Sequence, residues 1–171
     1  AVQNPILHLY RHKEVGYAIG ATDAEFVLTA GEWNGFDYEA MVHELIADRP
    51  AKPQVVNVFA DLPDGDPATL ADVPAPTDGD EVRWIYFTSG TTSDPKGVRH
   101  TDRTLITGAN GLAVALAMQP DDIGSIAFPF AHIAGPDYFG MMLLAGFGAV
   151  LIEAFTPAGA VAAFNAHGAT M

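Results

Sequence analysis

Residues 86–98 read Tyr-Phe-Thr-Ser-Gly-Thr-Thr-Ser-Asp-Pro-Lys-Gly-Val, and this run constrains the chain more than any other. An apolar stretch from Arg83 to Phe87 ends abruptly in hydroxyl side chains grouped around Gly90, and the group closes on Pro95 and Lys96. The glycine lets the backbone turn with φ > 0 and lets main-chain N–H groups come close to a ligand. Ser and Thr hydroxyls donate to anionic oxygens, and a lysine adds a mobile positive charge. The segment therefore reads as a phosphate-holding bend delivered by a buried strand. A Thr-Ser-Gly triplet alone would be an ordinary polar turn; the full string is more specific.

Other phosphate and nucleophile motifs do not fit. A Walker loop places a hydroxyl after its lysine to hold Mg²⁺, whereas Lys96 is followed by Gly97. No G-x-G-x-x-G run lies between a strand and a helix, and no G-x-S-x-G elbow is present.

Residues 86–98 resemble the phosphate-loop signature of the adenylate-forming enzymes, [YF]-T-S-G-[ST]-T-G-x-P-K-G-V, departing from it at Ser93. Val98-Arg99-His100-Thr101 is similar to the family's continuation, and Pro129-Phe130-Ala131-His132-Ile133-Ala134-Gly135 is similar to its P-x-F-H-x-x-G segment. Asn4-Pro5-Ile6 through Tyr10-Arg11 to Glu14 resembles a third family stretch. The resemblance implies that Thr88, Ser89, Gly90, Thr91, Thr92, Ser93, Lys96 and Gly97 hold the β- and γ-phosphates of ATP, with Gly90 and Gly97 as candidate hinges. It also implies that Phe130, His132 and Gly135 line the acyl site or separate it from the nucleotide.

The implied reaction is ATP-dependent activation of a carboxylic acid, of the fatty or alicyclic kind, to an acyl-adenylate, followed by thioester formation with coenzyme A. Mg²⁺ is expected with the ATP. Two alternatives stay open: an adenylation domain that loads a carrier protein, and a non-catalytic nucleotide-binding module. The family's Y-G-x-T-E segment, its ribose-binding aspartate and the lysine of its C-terminal lid domain have no counterpart in the chain. The sequence thus reads as an excerpt of the larger N-terminal domain, inactive alone, ending at Ala169-Thr170-Met171 where a strand is expected to start.

Strand–helix alternation predicts an α/β fold, a three-layer α/β/α arrangement with a mostly parallel sheet, in a single unit over residues 1–171. Helices are expected at 12–21, from 35–37 to about 47, after Thr101 or Asp102, near 138–145 and at 157–166. Strands are expected at 25–29, 54–60, 83–87, 125–128 and 149–153. The helix after Thr101 repeats Leu105, Ala109, Leu112 and Leu116 at helical spacing. Residues 61–81 carry seven of the 21 acidic residues and four of the 12 prolines, and read as a solvated surface loop.

Forty-nine per cent hydrophobic content suffices for a core, and a net charge of −13 argues against nucleic acid and anionic lipid as partners. The absence of cysteine fits a cytosolic chain, and no stretch has the roughly 20 apolar residues of a membrane span. His8 and His12 have i, i+4 spacing but no third ligand nearby, so they read as exposed histidines rather than a metal site.

Overall fold

The computed structural model describes residues 1–74, 77–88 and 94–171. Their contacts divide into two compact units, one of residues 8–77 and one of residues 1–7 with 78–171.

In the unit of residues 8–77, α1 (His12–Ala21) opens on Arg11, whose backbone N–H donates to the Glu14 carboxylate at 3.3 Å. β1 (Phe26–Thr29) follows, then the short antiparallel pair β2 (Glu32–Trp33) and β3 (Phe36–Asp37). Asn34 and Gly35 form their turn with φ of 49° and 73°, the left-handed pair that matches the twist of a two-residue hairpin. Asp37 then caps α2 (Tyr38–Ile46), its Oδ1 accepting the Ala40 N–H at 2.9 Å. The helices bury Val15, Ala18 and Ile19 of α1 and Met41, Val42 and Ile46 of α2. β4 (Gln54–Asn57) runs parallel to β1, with Phe26 opposite Gln54 and Thr29 opposite Asn57.

β4 is shorter than the expected 54–60 for a local reason. The Asn57 side-chain oxygen accepts the Phe59 N–H at 3.1 Å, and the Asn57 carbonyl accepts from Asp61 at 2.7 Å. These bonds draw the backbone into a turn before the ladder can continue. Within the acidic stretch that follows, a 3₁₀ turn spans Pro67–Asp72 and is started by Asp66, whose Oδ1 accepts the Ala68 N–H at 2.9 Å.

The second unit is built around the predicted phosphate-loop strand. β5 (Val82–Phe87) pairs antiparallel with β6 (Gly97–Thr101), and Gln3 bridges to Trp84 on β5. The sequence pattern placed no strand at 97–101, because Arg99, His100 and Thr101 are polar and their pairing depends on a partner ten or more residues away. Thr101 caps α3 (Asp102–Ala115) through its hydroxyl, which accepts the Thr104 N–H at 3.1 Å. Leu105 and Ala109 of α3 are buried, whereas Leu112 is exposed and Leu116 falls beyond the last helical residue, also exposed. The apolar stripe read from the sequence therefore covers only half the helix.

β7 (Ile123–Ile126), α4 (Ala134–Ala145) and β8 (Gly148–Leu151) form one parallel strand–helix–strand step, with Ile123 opposite Gly148 and Ile126 opposite Leu151. α4 starts four residues earlier than expected and ends on Gly146, in the left-handed conformation at φ 77°. α5 (Pro157–His167) is capped by Thr156 and closed by Gly168. Residues 169–171 form no strand; the Thr170 N–H donates to the Ile123 carbonyl at 2.8 Å, and the Thr170 hydroxyl accepts the Ile123 N–H at 3.0 Å. No helix among the described residues is long and apolar enough to cross a membrane.

Ala109, Met118, Met141 and Phe147 form the core of this unit, with Met141 fully buried and Tyr138 packed alongside. Met141→Ala is expected to destabilise the fold by about 2–5 kcal/mol, the range for emptying a buried methionine site. Urea unfolding of the variant against the unsubstituted protein measures it.

Candidate functional site: the stem of a hydroxyl-rich loop and the turn before α4

Two structures hold the residues singled out from the sequence. The first is the β5–β6 hairpin. Its ladder pairs Trp84 with His100, Ile85 with Arg99, Tyr86 with Val98 and Phe87 with Gly97. Beyond the last rung, the Thr88 N–H donates to the Lys96 carbonyl at 3.0 Å, and the Thr88 hydroxyl lies 3.5 Å from the same oxygen. Thr88 and Lys96, both exposed, therefore face each other across the base of the loop. Gly97 sits in β6, where a Cβ would lie 3.0 Å from Ile85 Cγ2 and 3.1 Å from the Phe87 ring. Its small size lets those side chains cross the strand. Ser89, Gly90, Thr91, Thr92 and Ser93 lie outside the described residues.

The second is the turn between β7 and α4. The His132 N–H donates to the Pro129 carbonyl at 3.0 Å, and the Gly135 N–H donates to the His132 carbonyl at 2.8 Å. His132 Nδ1 accepts the Ala134 N–H at 3.3 Å. In the neutral ring this bond assigns the proton to Nε2, so the exposed imidazole presents a donor outward. Phe130 is exposed and makes an edge-to-face contact with Phe139 at 6.0 Å between centroids. Gly135 is buried against the Phe130 backbone so closely that a Cβ would overlap the Phe130 carbonyl oxygen. That overlap is the reason for a glycine at this position.

Three further polar residues gather where the hairpin meets the helices. Tyr86 is buried on β5, its ring edge-on to His100 of β6 at 6.1 Å. Burial, with the negative charge of Asp137 adding to it, pushes the Tyr86 phenol up to about 12. Burial also raises the Asp137 carboxyl above its ordinary range, an effect opposed by His100. The sequence reading took up Tyr86 and His100 only within the loop signature and its continuation, and not Asp137. Asp137 lies beside Pro136 in the first turn of α4.

The AMP-binding enzyme model matches residues 1–171. The chain belongs to the AMP-binding enzyme family. It is 28% identical over 184 aligned residues to the salicyl-AMP ligase / salicyl-S-ArCP synthetase of Mycobacterium tuberculosis, covering 98% of this chain and 31% of that protein. To the crotonobetaine/carnitine–CoA ligase of Citrobacter koseri it is 29% identical over 141 residues, covering 78% of this chain and 27% of that protein. The chain thus spans less than a third of the length of these curated relatives. The solved structure of the o-succinylbenzoate coenzyme A synthetase of Bacillus subtilis, in complex with ATP and magnesium ion, superposes with a TM-score of 0.68 at 22% identity. That match covers 97% of this chain and 41% of the other. It shows a shared fold, in keeping with the α/β class and the three-layer arrangement expected of this family's N-terminal domain.

Two outcomes check the site's geometry. Gly135→Ala in this AMP-binding chain is expected to displace the Phe130–His132 turn and destabilise the unit by about 1–3 kcal/mol, read by thermal unfolding. Tyr86 supplies the second. Its folded pKa lies above the ordinary 10.0, at about 12, so above pH 10 the unfolded chain loses a proton that the folded chain keeps. Stability is full below pH 10 and falls as pH rises towards 12. Tyr86→Phe is expected to flatten that alkaline decline in a pH series of melting curves.

Proposed function

We propose that the protein to which this chain contributes activates a carboxylic acid with ATP and passes the acyl group to a thiol. The single observation that carries the reading is the loop base: Thr88 and Lys96 held 3.0 Å apart, N–H to carbonyl oxygen, at the end of an antiparallel ladder in a member of the AMP-binding family. A carboxylate oxygen attacks the α-phosphorus of ATP, forming the acyl–phosphate bond. The α,β-bridging P–O bond breaks, and pyrophosphate leaves with its electron pair. A thiolate then attacks the acyl carbon, and AMP departs as the C–O bond breaks.

The acid is its own nucleophile, so the chain's residues are asked only to position groups and offset charge. Thr88 and the hydroxyls of Ser89, Thr91, Thr92 and Ser93 would donate to the β- and γ-phosphates, Gly90 and Gly97 would leave room for them, and Lys96 would offset their charge. Phe130, His132 and Gly135 would line the acid's side, with the His132 Nε2–H as a donor to an anionic oxygen rather than a base. Mg²⁺ would accompany the phosphates; no ligand for it is assigned on this chain. The fatty or alicyclic acid class and coenzyme A as acceptor are part of the proposal. So are a cytosolic setting, a C-terminal lid domain, and inactivity of the 171 residues alone.

A second reading of the acceptor has its own support. The salicyl-AMP ligase / salicyl-S-ArCP synthetase matches 98% of this chain, which favours a carrier protein and an aryl acid. ATP–pyrophosphate exchange by the complete enzyme with fatty, alicyclic and aryl acids tests the first half of the reaction, and thioester formation on coenzyme A against a carrier protein tests the second. Lys96→Ala is expected to raise the KM for ATP about 10- to 100-fold, the loss of one charge-assisted contact of about 1.5–3 kcal/mol. His132→Ala is expected to raise the KM for the acid and leave that for ATP within about twofold. Absence of exchange with every acid would overturn the reading.

A further inference from the structure

Register is the property of the β5–β6 hairpin that its sequence leaves least defined. An apolar pattern or a tight turn ordinarily sets it. β6 (Gly97–Thr101) has one apolar side chain, Val98, and seven residues, 89–95, connect Thr88 to Lys96. A connection of that length accommodates more than one register.

The pairing is irregular at one place. Val82 lies opposite Thr101 and Trp84 opposite His100, so two steps along β5 match one along β6, and Arg83 is the extra residue. Consecutive strand side chains point to opposite faces, and a bulge re-aims them. Here Arg83 and Trp84 reach the same group. The Trp84 indole N–H donates to Asp102 Oδ1 at 3.0 Å, and Arg83 Nε forms an ion pair with Asp102 Oδ2 at 3.2 Å. Arg83 also pairs with Glu81 through Nη2 at 2.9 Å. Both oxygens of one carboxylate are thus engaged by β5, while Asp102 directly follows β6 as the first residue of α3. A slip of one residue would take the indole away from the carboxylate and turn the β5 side chains to the other face. It would also move Thr88 off Lys96.

We propose that Asp102 is a positioning residue for ATP binding: its carboxylate pins the register of β5 on β6 and so keeps Thr88 opposite Lys96 at the loop base. The inference rests on the ATP-dependent reading above. Asp102 stands at the end of the ladder away from Thr88 and Lys96 and acts through Trp84 and Arg83.

The test uses the complete enzyme, with ATP titrated calorimetrically into the unsubstituted protein, Asp102→Ala, Asp102→Asn, Trp84→Phe and the double variant Asp102→Ala/Trp84→Phe. Hydrogen exchange is followed at the Thr88 amide, which donates across the loop base. Asp102→Ala is expected to weaken ATP binding about tenfold, the loss when the competent register is populated about one tenth of the time. Thr88 exchange should quicken in the free variant and slow again at saturating ATP. In pyrophosphate exchange the KM for ATP should rise by the same factor, with kcat and the KM for the acid within about twofold. Asp102→Asn keeps an acceptor for the indole and is expected to fall between; it carries the test if the alanine variant does not fold. Trp84→Phe leaves the carboxylate at the helix N-terminus, so a role confined to the α3 dipole would leave ATP affinity untouched. Pinning instead gives a loss, smaller than that of Asp102→Ala, and the double variant loses no more than Asp102→Ala alone. Unchanged ATP affinity or Thr88 exchange in Asp102→Ala, full affinity in Trp84→Phe, multiplicative losses in the double variant, or losses that follow the melting temperature would overturn the inference while the proposed reaction stands. Failure of the unsubstituted enzyme to bind ATP would remove the reaction itself, and the inference with it.

Discussion

The antiparallel pairing of β5 with β6 is the constraint on which the candidate site depends. A loop of hydroxyls loses conformational entropy when its ends are brought together, and here the ladder from Trp84–His100 to Phe87–Gly97 brings them together before any ligand arrives. The Thr88–Lys96 bond then adds one more closure at the base. In a strand–loop–helix phosphate site the helix N-terminus supplies oriented N–H groups. In this chain the element after the loop is a strand, so that source is missing. On the reading proposed above, phosphate would be held by the hydroxyls and Lys96, which accounts for a segment rich in hydroxyls with a lysine at its downstream end.

How much of this was legible in the sequence depends on the range of the interactions involved. α1 was placed at His12–Ala21 and found there, because Glu14 and the apolar spacing of Val15, Ala18 and Ile19 are local signals. Thr101 as the cap of α3 was equally local, a hydroxyl before a helical repeat. β6 was missed because Arg99-His100-Thr101 looks like any polar segment until β5 lies beside it. The Asn34–Gly35 hairpin was missed although its turn dipeptide was in view, since two-residue strands leave no alternation to read. β4 was overextended because Val58 and Phe59 continue the apolar run, and only the Asn57 side chain turns the backbone away.

The candidate residues divide along the same line. Thr88, Lys96, Gly97, Phe130, His132 and Gly135 were singled out through motif resemblance. The structure adds what resemblance could not: Gly97 accommodates Ile85 and Phe87, Gly135 accommodates the Phe130 carbonyl, and His132 uses Nδ1 to hold the Ala134 N–H. Asp137 carries no motif, and it lies 51 positions after Tyr86 in the sequence. The structure adds that the Asp137 carboxylate lies against Gly108 of α3, where a Cβ would stand 3.0 Å from its Oδ1.

A reaction in which the substrate supplies its own nucleophile leaves the protein little chemistry and much geometry. Binding energy then serves best where it fixes the carboxylate in line with the α-phosphorus, since small misplacements of reacting atoms are costly. The nucleotide and the acid would be held by different elements here, the hairpin on one side and the turn before α4 on the other. Each could be well ordered by itself and still present its ligand at the wrong angle to the other.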